Sequence, residues 1–173
     1  FQAAEGFKAG DEGHEPGSII AGAWTRCTIG GVERGLVTDT AADLSPKVLQ
    51  EEAIGLVPIY VRLGEKRYKD WQELTPDALY QAMRAGAAPV TEPPEVEDFV
   101  GVYERYLQVY DRLLSVHVSG ELSQTVQRAR EAALRVAPNR IRVVDSAMVS
   151  AGLGAMVRRA AEMLRDGADE ADV

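Results

Sequence analysis

The spacing of apolar residues changes several times along the chain, and each change marks an element. Residues 35–38 form a short apolar run that reads as a strand ending at Asp39. Residues 40–44 connect it to Ser45-Pro46, an N-cap followed by proline at the first helical position, so a helix is predicted over 47–53. Gly55 ends that helix, and the run 56–62 predicts a second strand. Gly64-Glu65 turns the chain, with residues 67–70 as a short hairpin partner. Thr75-Pro76 opens a further helix whose inner stripe is Leu79, Ala82 and Met83. The Pro- and Ala-rich stretch 86–94 reads as loop. Helical spacing returns over 95–110, where Val96, Phe99, Val100, Tyr103, Tyr106 and Leu107 recur at three- and four-residue intervals; an aromatic stripe of this kind belongs to a core.

Residues 113–118 then form an apolar run able to make a buried strand. The chain turns through Ser119-Gly120 into a helical pattern carried by Leu122, Val126, Ala129 and Ala133. After Pro138-Asn139, residues 141–145 read as another strand, and Ser146 leads into a helix over about 148–164. Gly152 and Gly154 fall inside that helix, where they allow close packing; a bare G-x-G is weak support for a nucleotide site. Residues 1–32 differ. Glycines interrupt any period there, and only 18–24 reads as a short strand, so this segment is an extension or linker and 33–173 the folded unit.

Strands alternating with helices imply parallel pairing through right-handed crossovers. The fold class is therefore α/β: an open, mainly parallel, Rossmann-like sheet with helices on both faces. Ligands of such sheets bind beyond the carboxyl ends of the strands. Asp39-Thr40, Ser119-Gly120 and Asp145-Ser146 each stand at such an end, so three polar turns are predicted to meet on one rim. At the middle turn, backbone N–H groups beside a helix start can hold an anion, and Ser119, Ser123 and Thr125 add hydroxyl donors. Ordinary helix capping explains the same residue types.

Composition narrows the function classes. A formal net charge of −8 argues against a nucleic-acid partner, which needs Lys and Arg for its phosphates. No apolar run approaches the length of a membrane span. The single Cys27 fits a reducing compartment, so a cytoplasmic location is expected, and His14 and His117 are too few and too far apart for a zinc cluster. No metal or cofactor is therefore expected.

Five separated stretches resemble the DegV family of bacterial fatty-acid-binding proteins. They are residues 37–44; 57–61 with 68–70; 89–99; 117–125, which parallels an H-I-S-S-x-L-S-G-T turn; and 144–146 with 149–154. They cover about residues 34–166 in order and at family spacing. The resemblance implies the first, α/β lobe of a two-lobed protein that grips a long-chain fatty acid. Such a protein is not itself an enzyme; it presents the carboxylate to a partner fatty-acid kinase. Carried over, Thr91 contacts that carboxylate, and Ser119, Gly120, Ser123 and Thr125 form the second turn of the site. Gly120 stands where the family has a serine, and Glu92, Pro93 and Glu95 replace Ser, Gln and Ser. Two carboxylates beside an anion site would weaken binding by repulsion, leaving backbone N–H groups near Gly120 to carry more of the contact.

Two other readings use the same residues. In a hydrolase, Ser119 would be the nucleophile, His117 its base and Asp39 or Asp145 the orienting carboxylate, although Ser119 lacks a G-x-S-x-G elbow. In a non-catalytic interaction module, the acidic extension and the Glu92–Glu95 loop would meet a basic partner.

Overall fold

The computed structural model describes residues 28–29 and 32–168. The strand expected at 18–24, His14 and Cys27 lie outside them. The main sheet has the parallel order β3–β2–β7–β8, from β2 (Val32–Asp39), β3 (Ile54–Val57), β7 (Arg112–His117) and β8 (Ile141–Asp145). β1 (Thr28–Ile29) pairs antiparallel with the start of β2.

Alternation along these strands sends side chains to two separate cores. On one face Leu36, Leu114, Val116 and Val118 pack with residues of α1 (Pro46–Glu51) and α5 (Ala151–Asp166). On the other, Val37, Val57 and Leu113 pack with α3 (Val96–Tyr106) and α4 (Thr125–Val136), chiefly through Phe99, Tyr103, Tyr106 and Ala129. Helices thus cover both faces, and the aromatic stripe is core.

A second sheet accounts for most differences from the sequence pattern. The expected strand 56–62 breaks at Pro58, which has no N–H to give a ladder. Beyond it the Ile59 N–H bonds the Thr40 hydroxyl (3.1 Å), and the chain enters β4 (Tyr60–Leu63) in a different sheet. β5 (Lys66–Lys69) returns as the expected hairpin partner, and Pro89–Glu92, expected as loop, forms β6 on the other side of β4. β4 supplies the ladder that local sequence around β6 does not announce.

α2 (Pro76–Arg84) begins as expected, with the Thr75 hydroxyl accepting from the Ala78 N–H, but buries none of its residues. Leu79 and Ala82 are half-buried and Met83 is 45% exposed, because no other described element packs closely over the stripe. Leu122 is likewise 67% exposed: α4 starts three residues later, where the Ser123 hydroxyl accepts from the Thr125 N–H (3.3 Å). Gly154 does serve close packing, since a Cβ there would lie 2.5 Å from the Ala42 carbonyl oxygen; Gly152 meets only the Met148 side chain.

Candidate functional site

The carboxyl ends of β2, β7 and β8 lie side by side, and hydrogen bonds tie their turns together. Asp39, at the end of β2, is fully buried. Its carboxylate accepts from the Ala41 N–H (3.0 Å) in its own turn and from the Val118 N–H (3.0 Å) beyond β7. The Ser146 N–H donates to the His117 carbonyl (3.1 Å), and the Ser119 N–H to the Met148 carbonyl (2.9 Å). Asp145 accepts from the Gly120 N–H on both oxygens (3.1 Å each) and from the Ala147 N–H (3.0 Å). The three turns expected to meet therefore do meet.

Behind this rim runs a polar chain inside the α3/α4 core. His117 Nδ1 lies 2.9 Å from Asp39, its Nε2 lies 2.6 Å from the Ser115 hydroxyl, and that hydroxyl lies 2.9 Å from Tyr103 Oη. Every hydrogen finds an acceptor if Tyr103 donates to Ser115, Ser115 to Nε2, and Nδ1–H to Asp39. Burial raises the Tyr103 hydroxyl pKa, which keeps it a donor. Phe99 meets the imidazole edge-on at 5.1 Å. Ser115 and Tyr103 are the members of this chain that sequence reasoning missed. The signal was present, because Ser115 and His117 are two apart on a strand and share a face.

This arrangement removes the geometry of the hydrolase reading. Asp39 does orient His117, but the far nitrogen of the ring goes to Ser115, and all three side chains are shielded from solvent. Ser119 uses its hydroxyl to accept from the Glu121 N–H (3.3 Å). Asp145 holds backbone rather than histidine.

The remaining rim residues are placed as follows. Thr40 is buried, and its hydroxyl accepts from the Ile59 N–H; burial raises the carboxyl pKa of Asp70, against the opposing effect of the Thr40 side chain. The Ser146 hydroxyl accepts from the Met148 N–H (3.0 Å). Ser123 and Thr125 share a hydroxyl–hydroxyl bond (2.8 Å), with Thr125 fully buried and Ser123 partly open. The backbone donor expected near Gly120 is engaged by Asp145.

Thr91 lies on β6, opposite Val61 of β4, and is exposed. Alternation puts it on one face of the small sheet together with Val61 and Tyr68, and puts Glu92 on the other with Tyr60, Arg62 and Arg67. There Glu92 pairs with Arg62 (2.9 Å) and Arg67 (2.8 Å), and hydrogen bonding from Arg62 lowers its pKa. Glu95 pairs with Arg67 (2.7 Å) and Arg128 (2.6 Å). The repulsion expected from the two acids is thereby corrected: both are neutralised by arginines, and Glu92 points away from Thr91. Lys69 and Tyr60 Oη also meet Asp98, at 3.1 and 2.9 Å, so the small sheet is fastened to the start of α3. Among the described residues no cluster of His, Cys, Asp and Glu is arranged to hold a metal ion, and no helix is long and apolar enough to cross a membrane.

Fold and rim together define an open α/β lobe with hydrogen-bonded polar turns at its strand ends. The chain belongs to the DegV family: the model described as "Uncharacterised protein, DegV family" matches residues 34–173. A DegV domain-containing protein of Deinococcus radiodurans is 41% identical over 133 residues, covering 76% of this chain and 47% of that protein. Among solved structures, a DegV family protein from Thermus thermophilus, described by its fatty acid binding, matches with a TM-score of 0.74 and 43% identity. That match covers 80% of this chain and 50% of the other. DegV of Bacillus subtilis, described as a fatty acid binding protein, matches with a TM-score of 0.75 and 26% identity, covering 82% and 51% of the two chains. The chain spans about half the length of the curated relatives it matches.

Proposed function

We propose that this chain is the first lobe of a cytoplasmic lipid-binding protein that holds a long-chain fatty acid and presents its carboxylate to a partner fatty-acid kinase, without performing chemistry of its own. The observation that carries this reading is the meeting of three polar turns at the strand ends, in a fold shared with relatives described as fatty-acid-binding. In this reading Thr91, Ser119, Gly120 and Ser123 take the carboxylate, and Thr125 acts by holding Ser123 in place. A second lobe closes over the acyl chain.

The magnitudes allow tight binding. Each buried CH₂ contributes roughly 0.8 kcal/mol, so a chain of about sixteen carbons supplies on the order of 12 kcal/mol gross. Ordering and association remove several of those. Lipid extraction and mass spectrometry of the whole protein, purified from its expression host, test the reading. A fatty acid present in equimolar amount is expected. A protein that carries none, and takes up none when palmitate is added, contradicts it.

A further inference from the structure

We propose that Asp145 is an intramolecular competitor for the ligand headgroup, its carboxylate occupying the backbone donors of Gly120 and Ala147, and that Gly120 is the residue that admits it. The inference rests on the reading of the rim as a carboxylate site. Asp145 is exposed at the end of β8, yet its side chain turns inward along the rim. Both of its oxygens lie 3.1 Å from the Gly120 nitrogen, and Oδ1 also lies 3.0 Å from the Ala147 nitrogen. An anion already sits where the turn offers N–H groups, and it belongs to the protein.

Gly120 is not among the glycines held at positive φ, so its backbone does not demand glycine. Its requirement is spatial. A Cβ at this position would stand 2.7 Å from Asp145 Oδ2, closer than such contacts are found, so any larger residue displaces the carboxylate. The next neighbour, Gln127 Nε2, is 3.7 Å away, an ordinary contact. Ala147 does hold a positive φ (52°), a conformation costly for alanine, and its bond to Asp145 helps retain it. Two carboxylates cannot share one set of donors without strong repulsion. An acyl anion must therefore drive Asp145 out to solvent, or settle on the hydroxyls of Thr91, Ser119 and Ser123 without the backbone donors. Either route weakens the affinity of this protein for a fatty acid.

The test uses Asp145→Ala and Gly120→Ala in the whole protein, delipidated and labelled with ¹⁵N-glycine, with circular dichroism to confirm that each variant folds. Gly120→Ala identifies the Gly120 amide signal by its loss. Sodium acetate is expected to shift that signal in Asp145→Ala and leave it unmoved in the parent. Palmitate is expected to bind about tenfold more tightly to Asp145→Ala, the scale of a recovered hydrogen bond to a charged group, and no more tightly to Gly120→Ala, whose Cβ fills the space that either carboxylate would take. A folded Asp145→Ala that shows no acetate response, or that binds palmitate but no better than the parent does, overturns the proposal. An acetate response without any palmitate binding upholds the competitor and sinks the fatty-acid reading. Should Asp145→Ala fail to fold, Asp145→Ser, which can keep the bond to the Ala147 N–H while its shorter side chain leaves the Gly120 N–H free, takes its place with the same expected and overturning results.

Discussion

Ser115 has no contact with solvent and two partners, Tyr103 and His117, neither of which has another described hydrogen bond at the atom concerned. Its replacement by alanine strands both groups. Ser115→Ala is expected to lower unfolding free energy by about 1–3 kcal/mol in urea titrations, the cost of buried polar groups left unpaired. A change of only a few tenths would mean that the chain from Tyr103 to Asp39 contributes nothing to stability. Gly154→Ala should cost about 1–3 kcal/mol by overpacking, because its Cβ meets a backbone oxygen at 2.5 Å that cannot swing aside. Asp70 adds a dependence on pH. Burial raises its carboxyl pKa above the ordinary value, against weaker opposing bonds from Thr40 and Trp71. The folded state therefore keeps this proton to higher pH than the unfolded chain does. Stability from this group is present below the ordinary carboxylate value and is lost as pH rises through the folded value. Asp70→Asn does not titrate, so the stability of the parent relative to this variant should decline across that acidic window and be level on either side. A difference that grows with pH would reverse the assignment.

Among the elements, the small sheet is where the sequence was least legible. β2, β7 and β8 could be read because their alternating residues feed two apolar cores, and β6 could not because Pro89, Thr91 and Glu92 have no apolar period. Proline at 58 divides what looked like one strand, a break visible in the sequence only as a residue without a donor. The α2 stripe has the right period and no partner, since periodicity reports a face without reporting what covers it. Arg62, Arg67 and Arg128 could not be assigned to Glu92 and Glu95 either, because pairing across twenty-five or more residues is a property of the folded chain. Glu95 joins these elements: it belongs to the capping box of α3 and bonds two arginines. Glu95→Ala should destabilise by about 1–2 kcal/mol, combining the lost cap with partly exposed ion pairs, and the loss should shrink in high salt. Glu92→Gln, which leaves the cap intact, should cost under about 1 kcal/mol. Equal losses in the two variants would mean that the cap is not the joint.

At the scale of the molecule, the rim was legible because a layered α/β sheet delivers its strand ends to one side whatever the chain between them does. The sequence placed polar turns there; the structure adds that most of their donors and acceptors are spent on one another, and in the proposed function the groups that would take the ligand are Thr91 of the small sheet, the buried Ser119 and the partly open Ser123. The account stands or falls on whether an acyl carboxylate meets those groups. A crystal structure of the whole protein with palmitate measures this directly. The prediction is a carboxylate within hydrogen-bond distance of Thr91 Oγ1 and of the Ser119–Ser123 turn, with the alkyl chain leading away from the strand ends. A headgroup seated elsewhere, out of hydrogen-bond reach of Thr91 Oγ1 and of that turn, would contradict it.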